Sequence, residues 1–402
     1  MKRIFMLMIV CAMIFSANVI KAQGEAAVPF LILAPDSRAG GLGESGVGLA
    51  DNSSAIFWNP AGIAFLTGSE VSITHSNWLP QFNLDIFYDY ATYRQYIDEL
   101  SGSVTASVTY MNYGEFVRTL SNSPEPVGKF RSFDAALTLG YATKLSSDWG
   151  LGLNFRLIHS RLADQPTEQE QGSGVATSVS FDIAAMWRPT TFNIPFVGDF
   201  GNMFSVGINL SNLGPKIYYI DQAQADPIPT NFRFGFAVKP FADEYNSLTW
   251  TLDFSKLLVD KGKANIKDGI LGQDTTTAGE PTKRKDWYQA IFTAWTDQSL
   301  GEELRDIVTS TGLEYWYGNM NEGFMFALRA GLFYEDPAFG NRKFMTLGAG
   351  IRYDLYGFDF SYITTDVFKG SENHPLSNTL RFTLSMNWGA KSETTMGFPR
   401  GI

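Results

Sequence analysis

The chain has 402 residues, with 41 acidic side chains against 31 basic ones, a single cysteine and 14% aromatic residues. Three of the basic residues (Lys2, Arg3, Lys21) fall in an N-terminal leader, which leaves 28 against 41, a net charge of −13, and disfavours nucleic acid as a partner. Cys11 lies in the same leader, so the remaining chain has no disulfide, thiolate metal site or thiol nucleophile.

The leader reads as a signal peptide over residues 1–22: Lys2 and Arg3, an apolar stretch from Ile4 to Phe15, then cleavage after Ala22. The stretch is short for a spanning helix, and no other run of about 18 apolar residues follows. Cys11 also lacks the small-residue context of a lipoprotein site.

Residues 23–69 do not alternate. Their centre is Gly40-Gly41-Leu42-Gly43 with Gly46 and Gly48, then Asp51-Asn52, then Phe57-Trp58-Asn59-Pro60-Ala61-Gly62. Such glycine density suits tight turns and close backbone approach. The run Gly41 to Gly46 formally matches G-x-G-x-x-G, but neither a preceding strand nor a βαβ unit accompanies it, so a glycine-rich plug is the better reading than a nucleotide site.

From residue 70 to 388 the pattern changes to period two. In Leu380-Arg-Phe382-Thr-Leu384-Ser-Met386-Asn-Trp388 apolar and polar residues alternate strictly, and similar segments recur about fourteen times. They lie near 70–77, 83–93, 102–112, 132–144, 149–160, 177–188, 203–213, 231–239, 247–256, 306–317, 323–334, 344–354, 356–365 and 379–388. In lipid every backbone polar group needs a partner, so such a sheet has to close. The fold class expected is therefore all-β: a transmembrane antiparallel β-barrel of about fourteen strands, twelve or sixteen being the alternatives, with residues 23–69 as a plug in its lumen and 389–402 as a C-terminal tail. Charges in mid-strand, such as Arg233 or Arg329, must face the lumen, and the 58 aromatic residues (32 Phe, 17 Tyr, 9 Trp) fit girdles at the two membrane interfaces.

Connections provide a second test. Odd-to-even links are long (113–131, 161–176, 214–230, 257–305, 366–378) and even-to-odd links short (145–148, 318–322, 354–356), with 189–202 and 78–82 as exceptions. This places both termini on the periplasmic side of the outer membrane of a Gram-negative cell. The longest link, 257–305, combines Lys283-Arg284-Lys285 with Trp287-Tyr288 and is the first candidate for protein contact, with a short helix near Glu302–Ile307.

Catalytic and metal chemistry find little support. His75-Ser76 and His159-Ser160 suggest a lipid hydrolase, but neighbours on a strand point to opposite faces, so neither pair makes its own dyad. Acidic residues at Asp164, Glu168 and Glu170, and at Asp221 and Asp226, lack the spacing of a calcium loop. No catalytic residue, metal ligand or cofactor is therefore assigned.

An N-P-A-G motif at Asn59–Gly62 in a plug ahead of alternating strands resembles the FadL-like superfamily of outer-membrane transporters of hydrophobic compounds. The longer run, Leu33-Ala-Pro-Asp-Ser-Arg-Ala-Gly40 through Gly41, Gly43, Asp51-Asn52 and Phe57–Gly62, resembles the PorV/PorQ family of the type IX secretion system, the PorV (LptO) branch above all. That resemblance implies a non-enzymatic barrel that docks beside a large translocon barrel (Sov/SprA-like), binds the C-terminal signal domain of exported cargo and passes it to a PorU-like sortase complex, amid outer-membrane lipid and lipopolysaccharide. Plug residues Gly41, Gly43, Trp58, Asn59, Pro60 and Gly62 would seal the lumen. The alternatives are a FadL-like transporter of fatty acids, needing an apolar cavity and a lateral opening, and a lipid A deacylase.

Overall fold

A strand that crosses hydrocarbon must hydrogen-bond along both edges, and the chain meets this with fourteen strands. The structure, a computed structural model, describes residues 26–120, 123–163, 173–195, 198–199, 201–220, 222, 225–260, 266–267, 270–271, 285–319, 323–365, 367 and 374–389. The expected signal peptide and nearly all of the expected tail lie outside these, as do Lys283 and Arg284.

The barrel strands are β1 (Ser69–Asn77), β2 (Phe87–Ile97), β3 (Gly102–Leu120), β4 (Ser123–Lys144), β5 (Trp149–Arg161), β6 (Val175–Trp187) and β7 (Phe204–Leu213). They continue with β8 (Asn231–Ala242), β9 (Asn246–Leu257), β10 (Val308–Asn319), β11 (Phe324–Tyr334), β12 (Lys343–Tyr353), β13 (Tyr356–Thr364) and β14 (Leu380–Trp388). Each pairs antiparallel with its sequence neighbours, and β1 pairs with β14 from Ser69 opposite Trp388 to Ser76 opposite Arg381, which closes the barrel.

The side-chain alternation has the expected sense. Along β5, Leu151, Leu153, Phe155 and Leu157 are exposed, whereas Gly152, Asn154, Arg156 and Ile158 are buried. Mid-strand charges in other strands, among them Arg94, Asp182, Arg233, Asp253, Glu314, Arg329, Asp359 and Arg381, are buried too, on the lumen side. Outward rings form two rows. One links His75, Phe87, Tyr110, Phe133 and His159 across β1–β5, with successive centroids 5.6–6.1 Å apart. The other links Trp149, Trp187, Phe204, Phe236 and Trp250 across β5–β9, at 5.6–6.3 Å. On β5 the rows are separated by Trp149 to His159, about 33 Å along a strand; at a tilt of ~40° this spans ~25 Å, the height of an apolar barrel band.

The structure differs from the expected segmentation at two places. Residues 113–131 are not a loop: β3 and β4 run on as a projecting hairpin, with Phe116 opposite Phe130 and Val117 opposite Lys129, beyond a register shift next to Gly114. Pro124 and Pro126 sit in this extension, and proline in a candidate strand reads as a break. The link after β1 also covers residues 78–86 rather than 78–82, because Asn83, at φ 51°, sits in a turn. The link 188–203 remains the exception among the even-to-odd links; it holds a two-residue hairpin, Asn193–Ile194 with Gly198–Asp199.

Leu153 lies outward on β5, midway between the rows. Leu153→Arg is expected to destabilise the barrel by about 2–4 kcal/mol, read as a lower denaturant midpoint in vesicles; an unchanged midpoint would place this face away from lipid.

Candidate functional site

The space enclosed by the barrel is occupied by the N-terminal segment 26–68, which is short on regular structure and rich in turns. Helix α1 (Ser37–Gly40) is capped by Asp36, whose carboxylate accepts from the Ala39 amide at 3.0 Å and from Trp58 Nε1 at 2.6 Å. Helix α2 (Ala55–Trp58) leads into a 3-10 helix (Pro60–Phe65), with Asn59 as its cap and Pro60 at its first position, where the missing N–H costs nothing. Burial raises the Asp36 pKa against the pull of the Trp58 and Ala39 hydrogen bonds.

The residues expected to form a plug lie close to the wall or to one another. Asn59 donates through Nδ2 to the carbonyls of Val47 (3.3 Å) and of Ala185 on β6 (3.2 Å), and its Oδ1 accepts from the Ala61 amide at 3.1 Å. Pro60 lies against β5 so closely that a Cβ on Gly152 would stand 2.4 Å from the Pro60 carbonyl carbon. Gly41 packs on Gly348 and Arg329, and a Cβ on Gly62 would sit 2.1 Å from the Ala50 carbonyl oxygen. Gly43 combines φ +71° with an amide that donates to Thr346 Oγ1 at 2.8 Å; a side chain there would collide with the Leu332 backbone at 2.5 Å.

The most extended ionic network between segment and wall is one that sequence reading did not single out. Arg38 donates to both Glu314 oxygens, at 2.8 and 2.7 Å, and to Asp51 at 2.6 Å. Glu314 on β10 also accepts from Arg329 Nε on β11 at 2.7 Å. Arg329 then pairs with Asp359 on β13, and Asp359 with Arg352 on β12, at 2.8 and 2.7 Å. Burial works against the Arg38 charge, but the Asp51 and Glu314 carboxylates more than offset it, so its pKa lies well above the arginine norm. Further ties join Arg381 to Glu44 at 2.8 Å, the Asp253 carboxylate to the amides of Gly46 and Val47 at 2.6 and 2.7 Å, and Glu70 to the Ser53 amide at 2.9 Å. The only signal available in the sequence was the placement of Glu314, Arg329 and Asp359 inside otherwise apolar strands.

At the opposite end from the chain-end pair Ser69–Trp388, the link between β9 and β10 carries helices α3 (Trp287–Thr293) and α4 (Leu300–Arg305), each with a capping box, Asp286 with Gln289 and Ser299 with Glu302. The expected helix near 302–307 thus begins two residues earlier. Lys285 donates its backbone N–H to Asp260 at 2.7 Å, and the half-buried Trp287 meets the exposed Tyr288 edge-on. Tyr288 shares a face with Phe292, four residues on, which is 76% exposed. Helix α4 is held by one side: Lys256 Nζ donates to Glu303 and Asp306 at 2.7 and 2.5 Å, and Arg305 donates to Asp336 at 3.0 and 2.8 Å. Its other side presents Leu300 and Leu304, at 77% and 63% exposure. The exposed large apolar side chains of this link, among the described residues, are Tyr288, Phe292, Trp295, Leu300 and Leu304, while Trp287 is half-buried.

The His-Ser pairs split across the wall as strand geometry requires. The rings of His75 and His159 lie outward, bonded to Asp89 at 2.6 Å and Thr177 at 3.1 Å, while Ser76 and Ser160 are buried. Among the described residues no group of three or more His, Cys, Asp or Glu side chains could hold a metal; Asp164, Glu168, Glu170 and Asp221 lie outside those residues.

The model of the type IX secretion system protein PorV matches residues 17–264, more than half of the chain. The chain belongs to the PorV family. It is thus an outer-membrane β-barrel component of type IX secretion. No curated protein matches it. Among solved structures it is similar to the toluene transporter TbuX of Ralstonia pickettii (10% identity, TM-score 0.45, 89% of this chain and 100% of that one). It is also similar to the toluene transporter TodX of P. putida (9%, 0.48, 89% and 99%) and to a Pseudomonas aeruginosa FadL homologue (10%, 0.44, 89% and 98%).

Removing one partner of a buried ion pair costs about 3–5 kcal/mol because the other charge is stranded. Arg38→Met should lower the denaturant midpoint accordingly and speed hydrogen exchange over residues 36–66. Adding Asp51→Asn, which removes the stranded carboxylate, should restore part of the loss; no restoration would mean that the pair is not what anchors the segment.

Proposed function

We propose that this family member is a sealed outer-membrane carrier: it takes the C-terminal signal domain of exported cargo as that domain leaves a large translocon barrel of the Sov/SprA kind and delivers it to a PorU-like sortase complex. The family match is the observation that carries this reading. In it, the leader over 1–22 is removed, segment 23–69 is the plug, 70–388 the barrel and 389–402 a tail. Both chain ends face the periplasm, as the short turns at the Ser69–Trp388 end suggest. Gly41, Gly43, Trp58, Asn59, Pro60 and Gly62 keep the lumen shut by fixing the plug to the wall. Cargo docks at the other end, on the exposed faces of α3 and α4, with Lys283, Arg284 and Lys285 as flanking cations. Lipid and lipopolysaccharide surround the wall, and chemistry plays no part in the transfer.

Hydrophobic-compound transport would need an apolar cavity long enough for an acyl chain. The cavity between segment and wall beside Trp58 is instead small, about 60 Å³, and lined by Arg233, Asp253 and Glu44, which favours the carrier reading.

The decisive experiment is a gentle-detergent pull-down of the tagged protein from its own membrane, read by mass spectrometry, with wild type beside a Phe292→Ser/Leu300→Ser/Leu304→Ser variant. Wild type should bring down a very large barrel and exported proteins sharing a C-terminal β-domain. The variant should retain less than a tenth of that cargo while keeping the heat-modifiable gel mobility of a folded barrel. Undiminished cargo on the variant would remove these helices from the docking surface, and wild type carrying fatty acid alone would overturn the carrier reading.

A further inference from the structure

The cavity at the loop side of Trp58 contains a cation that nothing in the seal requires. About 60 Å³ in volume, it is lined by Glu44, Val47 and Trp58 from the N-terminal segment and by Arg233, Asp253 and Ser310 from the wall, and it extends to Asp306 and Arg342 at the rim. Most of its charges are already engaged. Glu44 accepts from Arg381, Asp253 from two backbone amides and Asp306 from Lys256, while Arg342 donates to Glu335 at 2.9 Å. Arg233 is the exception among the cations, while the second oxygen of Asp253 is buried without a hydrogen bond. Arg233 is 6% exposed, and among the described residues its guanidinium has no hydrogen-bond or ion-pair partner. Its carbon instead sits 4.5 Å from the Phe57 ring centre and 5.1 Å from that of Trp58, and the carboxylates of Asp253, Asp182 and Glu44 act on it only through space.

Aromatic faces orient a guanidinium from one side and leave its N–H edge unused. A buried charge with an unused donor edge opening on a cavity is complementary to one planar anion, which could take two parallel N–H···O bonds. The volume, on the order of four or five water molecules, admits a carboxylate and excludes an acyl chain. The flanking acids Glu44, Asp253 and Asp306 disfavour a doubly charged phosphate. We propose that this cavity binds a single carboxylate on Arg233, with Trp58 in its wall and Phe57 holding the guanidinium from behind, entering from the rim at Asp306 and Arg342. The assignment does not depend on what docks at α3 and α4. The carboxylate belongs either to a free small acid or to the end of an inserted polypeptide.

The test uses the full-length protein in detergent, with ¹³C-labelled acetate as the probe and binding read by NMR line broadening. Wild type should saturate. Arg233→Gln, which keeps the bulk but not the charge, should weaken binding at least tenfold, and so should Ser310→Leu, which fills the cavity and leaves Arg233 in place. Gel mobility of the unheated sample reports folding, and if Arg233→Gln does not fold, Ser310→Leu decides alone. A peptide with a free C-terminus that displaces acetate, when its amide does not, identifies a chain-borne carboxylate; binding of acetate and formate only identifies a free acid. Absence of saturable binding to folded wild type, or unchanged affinity in the folded variants, would overturn the site.

Discussion

Inside a bilayer an amide without a partner has no water to turn to, and the ladder between β1 and β14 is where this chain meets that requirement. Ser69 through Ser76 pair in continuous register with Trp388 through Arg381, so the first and last strands hold each other although more than three hundred residues separate them. Side chains alternate along a strand, so a one-residue slip at this seam would turn Leu384 and Phe382 into the lumen and Arg381 into lipid. Closure therefore sets which half of every strand is apolar, and with it the two aromatic rows and the burial of the mid-strand charges.

Closure with fourteen strands has a second consequence. The lumen is too wide for wall side chains to fill, and the segment 26–68 takes up space that water would otherwise enter. Filling a lumen with irregular chain buries backbone groups, and each needs a partner. The wall supplies them: Asp253 takes two amides, Asn209 donates to the carbonyl of Trp58, and Ser205 donates to that of Gly48. The ionic chain from Asp51 through Arg38, Glu314, Arg329 and Asp359 to Arg352 has a different part. Buried pairs add little net stability over apolar packing but strongly penalise wrong partners, so this chain fixes where the segment sits more than how tightly it is held.

The legibility of these features in the sequence follows the range of the physics behind them. Strand existence is local, since period-two alternation bounded by turn residues needs no knowledge of the rest of the chain, and all fourteen were visible. The β3–β4 projection was hidden because Pro124 and Pro126 imitate a loop, and the start of β2 because Asn83 supports a turn that the residues around it do not announce. The irregular backbone of residues 26–68 was legible from its glycines and its lack of alternation, and the cap at Asn59-Pro60 from its turn chemistry. The pairing of Arg38 with Glu314 was not, because 276 residues separate them and only the fold brings them together. Cations beside aromatics drew attention to Lys283–Tyr288, whereas the exposed leucines of α4 are ordinary helix formers whose meaning depends on which side of the helix is anchored.

That anchoring bears on how the proposed carrier would work. A loop of about fifty residues would normally lose much conformational freedom when a partner orders it. Here Lys256 at the end of β9 and Asp336 after β11 hold α4 by its charged side, so Leu300 and Leu304 point outward before any partner arrives. A preorganised apolar face on α4 suits transient, repeated binding, because its affinity does not have to compensate for ordering that helix each time. It also divides the molecule by rigidity: the segment 26–68 is bonded to the wall from several strands, while the proposed recognition surface depends on two ionic anchors at the rim. On this view cargo exchange acts on α3 and α4 without disturbing the seal, and a partner that competes for Asp336 or Lys256 could release the surface while the barrel stays closed.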